Sequence, residues 1–173
     1  SLKGKRIILV GTKKQAKDKV AEIAKSTGIF YVNERWLGGT LSNFSQILRS
    51  VKSLADMKKK KAAGQYNTFT KKERLLIDRK IDKLEKFFGG IATIESLPEL
   101  MIVVDTHKEF GAIREAAMLG IPTIGIVDSN ADPEAVTWPI PMNDDASGSL
   151  NFVLGLFEKA LLSGKGKLKT SEK

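Results

Sequence analysis

The stretch Tyr31-Val-Asn-Glu-Arg-Trp-Leu-Gly-Gly-Thr-Leu-Ser-Asn-Phe44 carries the most pointed chemistry in the chain. Arg35 offers a planar fork of donors suited to phosphate oxygens, with the flat ring of Trp36 beside it. The pair Gly38-Gly39 lets backbone approach a ligand closely. Arg35 is therefore a candidate phosphate contact. Trp36 and Leu37 are better explained as anchors that dock a neighbouring element onto the core.

Two further groups invite a chemical reading. Gly11-Thr-Lys-Lys14 follows an apolar run and sets Lys13 and Lys14 beside the first amides of a helix, a natural anion seat. It lacks the glycine spacings of dinucleotide and P-loop sites, which argues against a mononucleotide loop. Asp105, His107, Asp128, Asp132, Asp144 and Asp145 have the residue types of a metal or acid–base cluster. Asp at strand ends and helix starts more often caps and forms turns. One His with no Cys is also a poor transition-metal set. No serine sits in a Gly-x-Ser-x-Gly elbow. An enzyme, a cofactor and a small-molecule substrate are all unexpected.

The charge balance points to a different class of partner. The 173 residues carry a formal net charge of +9, but residues 1–90 hold 22 Lys/Arg against 8 Asp/Glu, and residues 91–173 hold 7 against 12. A half-chain balance of +14 suggests a polyanion on one side of the molecule. The absence of Cys excludes a disulfide scaffold and a thiolate metal site. No apolar run approaches the ~20 residues of a membrane span, and residues 1–15 show no signal-peptide pattern. A location in the cytoplasm, or inside an organelle, is the expectation.

The elements that must position these residues follow from periodicity. An apolar run at residues 6–10 reads as a strand buried on both faces, those at 29–32, 100–104 and 123–127 as further strands, and residues 136–141 as an edge strand because of its prolines. Residues 13–27, 109–119 and 147–162 read as helices, with a frayed, flexible basic tail over 163–173. In the middle, Leu41, Phe44, Leu48, Val51 and Ala55 recur every three or four residues, as do Ile77, Ile81, Leu84 and Phe88. Thr70-Lys-Lys-Glu73 is a capping-box sequence opening the second stripe. An antiparallel helical hairpin over 40–88 is predicted, projecting from an α/β body formed by 1–39 and 89–162. Only three body helices remain to cover two sheet faces. Part of one face is therefore expected to be covered by hairpin residues or a neighbouring chain, or to drive self-association.

Val10-Gly-Thr-Lys13, Arg35-Trp-Leu-Gly-Gly-Thr-Leu41, Thr70-Lys-Lys-Glu73, Gly120-Ile-Pro122, Asp128-Ser-Asn130, Asp132-Pro133 and Ile140-Pro-Met-Asn-Asp-Asp145 occur in the order of one family. With them the sequence resembles the bacterial-type second protein of the small ribosomal subunit over nearly its whole length. The resemblance implies a flavodoxin-like three-layer α/β/α sandwich with a five-stranded parallel sheet, order 2-1-3-4-5, and an inserted coiled-coil arm. It implies binding of small-subunit ribosomal RNA near the junction of head and body. It further implies contact with neighbouring small-subunit proteins, including recruitment of the first one. Members of that family carry an upstream segment with a Gly-x-His-Phe-Gly-His-type motif and a long helix. This sequence opens near the first strand, so the contacts of that segment are not carried over.

The reading is a non-enzymatic ribosomal RNA-binding protein. Its candidate contacts, chiefly to phosphates, are Lys13, Lys14, Arg35, Lys58, Lys59, Lys60, Lys61, Lys71 and Lys72. RNA duplexes hide their base edges in a deep groove, so recognition of shape and backbone is expected. Two rivals stand beside it. One is a nucleotide-binding protein or enzyme using the crevice at the strand ends. The other is a protein–protein scaffold docking through the acidic half.

Overall fold

The computed structural model describes residues 6–171, with side chains as far as residue 164. Three buried apolar runs, a half-buried one and a proline-rich segment form a single parallel sheet, with the last two at its edges. Its strands are β1 (Ile7–Val10), β2 (Phe30–Val32), β3 (Leu100–Val104), β4 (Thr123–Val127) and β5 (Trp138–Pro141). Their order is β2-β1-β3-β4-β5, with Leu9 opposite Tyr31 on one side and Ile102 on the other. This is the predicted order. β5 takes the edge, where Pro139 and Pro141 need no ladder partner on the outer side.

Each face of the sheet is covered by its own layer. On one face Ile7, Leu9, Ile102, Val104 and Ile126 meet Val20 and Ile23 of α1 (Lys17–Thr27) and Leu150 and Leu154 of α5 (Ser147–Ser171). On the other, Ile8, Val10, Met101 and Val103 pack with Ala112, Ile113 and Ala116 of α4 (Phe110–Met118). The same cluster takes in Leu41, Phe88, Ile91 and Ile94 from the base of the hairpin. Hairpin residues thus fill the place that a crossover helix would otherwise occupy.

The hairpin pairs α2 (Phe44–Ala62) with α3 (Lys71–Phe88). Thr70 caps α3 through a complete capping box, its side chain accepting the Glu73 amide while Glu73 Oε2 accepts the Thr70 amide at 2.9 Å. The seam on α2 differs from the predicted stripe. Ile47, Val51 and Leu54 are the buried residues, Leu48 is half-buried and Ala55 is exposed. Both stripes share Val51 and both obey helical spacing. The one used is the one that lets the hairpin base also reach the sheet.

The arm leaves the sheet through a tight crossing. A Cβ on Gly90 would fall 2.1 Å from the carbonyl oxygen of Tyr31, so backbone passes over backbone where a side chain cannot fit. Two helix bounds also differ from expectation. α1 starts at Lys17, because residues 13–16 form a turn in which the Lys13 carbonyl accepts the amides of Ala16 and Lys17. α5 runs to Ser171 and does not stop at residue 162. Once its Leu150–Leu161 face is seated, each added residue gains a hydrogen bond without a new nucleation cost. Among the described residues no helix is long and apolar enough to cross a membrane.

Candidate nucleic-acid interface

The hairpin displays cations because its seam consumes only the apolar third of each helix. α2 is 19 residues long, which makes the arm about 28 Å. Its faces carry the run Lys58–Lys61 near one end and Lys71 and Lys72 at the start of α3, all exposed. Two of these are partly used within the arm: Lys58 pairs with Glu85, and Lys61 with Asp78 at 2.8 Å. Among the described residues Lys59, Lys60, Lys71 and Lys72 have no carboxylate partner. At the tip Tyr66 and Phe69 pack with ring centroids 5.6 Å apart.

The second cationic element is the loop that leads into the arm, and a buried carboxylate shapes it. Glu115 of α4 is 8% exposed and turns both oxygens toward this loop. Oε1 accepts Trp36 Nε1 at 3.1 Å and the Gly39 amide at 2.8 Å. Oε2 accepts the amides of Leu41 at 2.8 Å and Ser42 at 3.0 Å, together with the Ser42 hydroxyl. Burial pushes this carboxyl up, but the amides of Ser42, Leu41 and Gly39 and the indole outweigh it and hold it below its usual range. Gly39 at φ 89° supplies the left-handed turn that aims these amides at one point. Trp36 is thereby an anchor, whereas Arg35 remains exposed with no ion-pair partner among the described residues. Sequence reasoning missed Glu115. The available signal was a carboxylate among the apolar positions Ala112, Ile113 and Ala116 of a short helix.

The strand-end acids gather around Lys13. Its Nζ lies 2.6 Å from Asp144, 2.6 Å from Asp145 and 3.3 Å from Asp105. Burial would lower the pKa of this ammonium, but the hydrogen bonds it donates to Asp144 and Asp145 and the charge of Asp105 hold it well above the usual lysine range. Lys13 is therefore drawn into the body, away from the surface where Lys14 stands exposed. Asp128, Asp144 and Asp145 bring carboxylate oxygens within 4.8 Å of one another, and the ammonium lies against two of these three, with Asp105 as its third acid. Asp128 also accepts the amides of Ser129 and Asp144, and Asp132 accepts that of Glu134, as turn formers do. His107 stays exposed, outside the group.

Geometry and charge thus give a basic arm, a pinned loop carrying one free guanidinium, and a body whose strand-end acids gather around Lys13. Residues 1–164 match the family model described as ribosomal protein S2. Relatives named small ribosomal subunit protein uS2 include that of Rhodospirillum centenum, 47% identical over 161 residues, covering 93% of this chain and 62% of the relative. That of Roseiflexus sp. strain RS-1 is 42% identical over 164 residues, covering 95% of this chain and 63% of the relative. That of Bradyrhizobium diazoefficiens is 46% identical over 162 residues, covering 94% and 49% respectively. The chain spans between about half and two thirds of the length of these curated relatives.

Proposed function

Because the chain belongs to the ribosomal protein S2 family, we propose that it is a structural, non-catalytic component of the small ribosomal subunit that holds ribosomal RNA by its phosphates. The observation that carries this reading is the set of cations without a carboxylate partner. Lys59, Lys60, Lys71 and Lys72 crowd the arm, and Arg35 and Lys14 extend the set toward the body. Lys58 and Lys61 sit half-exposed in ion pairs that a phosphate can replace. Lys13 is not in this set, because three acids hold it. An arm of about 28 Å passes several phosphates of an RNA duplex, whose deep major groove side chains cannot read.

The family resemblance supports a seat near the junction of head and body and a role in docking the first small-subunit protein, on ribosomes of the cytoplasm. The test is binding of a small-subunit ribosomal RNA fragment across a salt series. Log affinity should fall by about 0.7–0.9 per phosphate neutralised, per decade of salt. A slope near zero would sink the reading.

A further inference from the structure

At the carboxyl ends of β1, β2 and β3 the molecule holds an open crevice of about 510 Å³, which shares Arg35 but none of the arm's lysines with the cations assigned above to RNA. It lies at the point where the strand order reverses, β1 having β2 on one side and β3 on the other. Open parallel sheets characteristically take ligands at this position. Its volume falls in the range of small-molecule sites.

The lining has a definite polarity. Arg35 and Lys108 are its cations. Lys108 is steered there by Asp105, which adopts φ 66° at the end of β3 and accepts the Lys108 amide through Oδ1 at 2.9 Å. From there Lys108 Nζ reaches across to the Thr12 carbonyl at 3.2 Å, so it spans the reversal point with no carboxylate partner among the described residues. The two acids of the lining do not cancel these cations. Glu34 is already bridged by Lys17 at 2.8 Å and Lys86 at 3.4 Å. Glu109 is 4% exposed and accepts the Thr12 hydroxyl, and burial pushes its carboxyl up against the pull of that bond and of the Lys108 charge. The Lys13-centred acids do not line the crevice. One wall is the indole of Trp36, its ring fixed by the bond to Glu115.

We propose that this crevice seats a single nucleoside phosphate, its phosphate between Arg35 and Lys108 and its base against Trp36. Two cations beside acids that are already engaged by Lys17, Lys86 and Thr12 select an anion, and a fixed aromatic wall next to them selects one that carries a flat ring. A free nucleotide and an unstacked residue of bound RNA share this chemistry. The proposal goes beyond the arm's binding of RNA and does not depend on it.

Gly111 and Gly38 make the crevice testable without touching any charge. Each lines it, and an added Cβ on either would meet nothing within 4 Å. Gly111→Leu should therefore fold normally, checked by its thermal melt, while filling the space. Calorimetric titration of the full chain with adenosine 5′-monophosphate, adenosine, inorganic phosphate and a single-stranded RNA tetranucleotide reads the site. Saturable binding of the monophosphate, weakened about tenfold or more in Gly111→Leu and in Lys108→Gln and much weaker for adenosine, is expected if the source is a free nucleotide. Tighter binding of the tetranucleotide, abolished in the same variants, assigns the crevice to a residue of RNA. If neither ligand distinguishes Gly111→Leu from the parent, the proposal is overturned. The salt-dependent affinity of the arm for ribosomal RNA would be untouched by that result.

Discussion

Trp36 and Glu115 meet through one hydrogen bond of 3.1 Å from the indole N–H to a carboxylate oxygen, and the same carboxylate gathers the amides of Gly39, Leu41 and Ser42. A loop that turns four N–H groups and a hydroxyl toward one acid has no other way to satisfy them without water. Glu115→Gln keeps the shape but sets an NH₂ group against a ring of donors. The loss should be about 1.5–3 kcal/mol, the scale of hydrogen bonds to a charged group. Urea unfolding followed by Trp36 fluorescence, in a Trp138→Phe background, measures it. A variant as stable as the parent would mean that the loop is held by its apolar anchors alone.

The same acid makes the loop pH-dependent in one direction. Its carboxyl is lowered in the folded protein, so its contribution is complete above the unfolded value of about 4.3 and is lost as pH falls through the lower folded value. Trp36 fluorescence should therefore hold steady from neutral pH down to about 4.3 and change only below it. The stability gap between parent and Glu115→Gln should shrink over the same interval. Release of the loop at pH 6 would contradict this assignment.

Ile81, 6% exposed, sits in the seam of the arm. Ile81→Asp removes a core side chain, which costs about 2–5 kcal/mol for large-to-small changes, and adds a desolvated charge. Hydrogen exchange should show α2 and α3 losing protection while β1 and β3 keep theirs. The outcome to watch for is simultaneous loss in both. That would show that the shared cluster at Leu41, Phe88 and Ile91 fuses arm and body into one cooperative unit.

Charge removal should separate lysines that bind from a lysine that builds. Replacing Lys59, Lys60, Lys71 and Lys72 by Gln should lower the salt slope of RNA binding by about one for each phosphate no longer neutralised, with little change in stability. Lys13→Gln should do the reverse. It strands Asp144 and Asp105 without a counter-charge and should cost about 3 kcal/mol, the low end for a broken buried pair because Asp145 is 75% exposed. A Lys13→Gln protein of full stability and reduced salt slope would reverse the two roles.

What the sequence disclosed, and what it hid, divides along the range of the interactions. The strands were legible because Ile7–Val10, Leu100–Val104 and Thr123–Val127 are continuous apolar runs that only a sheet covered on both faces can bury. The capping box at Thr70 and Glu73 was legible because both partners lie within one turn. Lys13 looked like an anion contact because its partners lie beyond residue 100 and no local pattern links them to it. Glu115 escaped notice for the same reason, its five donors all coming from residues 36–42. The choice of Ile47 and Leu54 over Leu48 and Ala55 likewise waits on where the hairpin base meets the sheet.

The place of the arm in the chain also bears on how the molecule comes to be folded. Strand β1 must join Ile8 to Met101, a pairing that spans the whole arm. Closing so long a stretch of loose chain is entropically costly, and pairings of this range are slow. The arm, however, is made of near neighbours and can zip by itself soon after residue 88 has been made. Once zipped, its two ends are brought together at Leu41 and Phe88, and the effective distance from Val32 to Leu100 becomes that of a much shorter loop. During synthesis the arm emerges before β3, so order of appearance and order of assembly coincide. The hairpin is therefore also a built-in clasp for its own sheet, and sequence changes that weaken its seam should slow refolding of the body even where they leave the finished protein's surface unchanged.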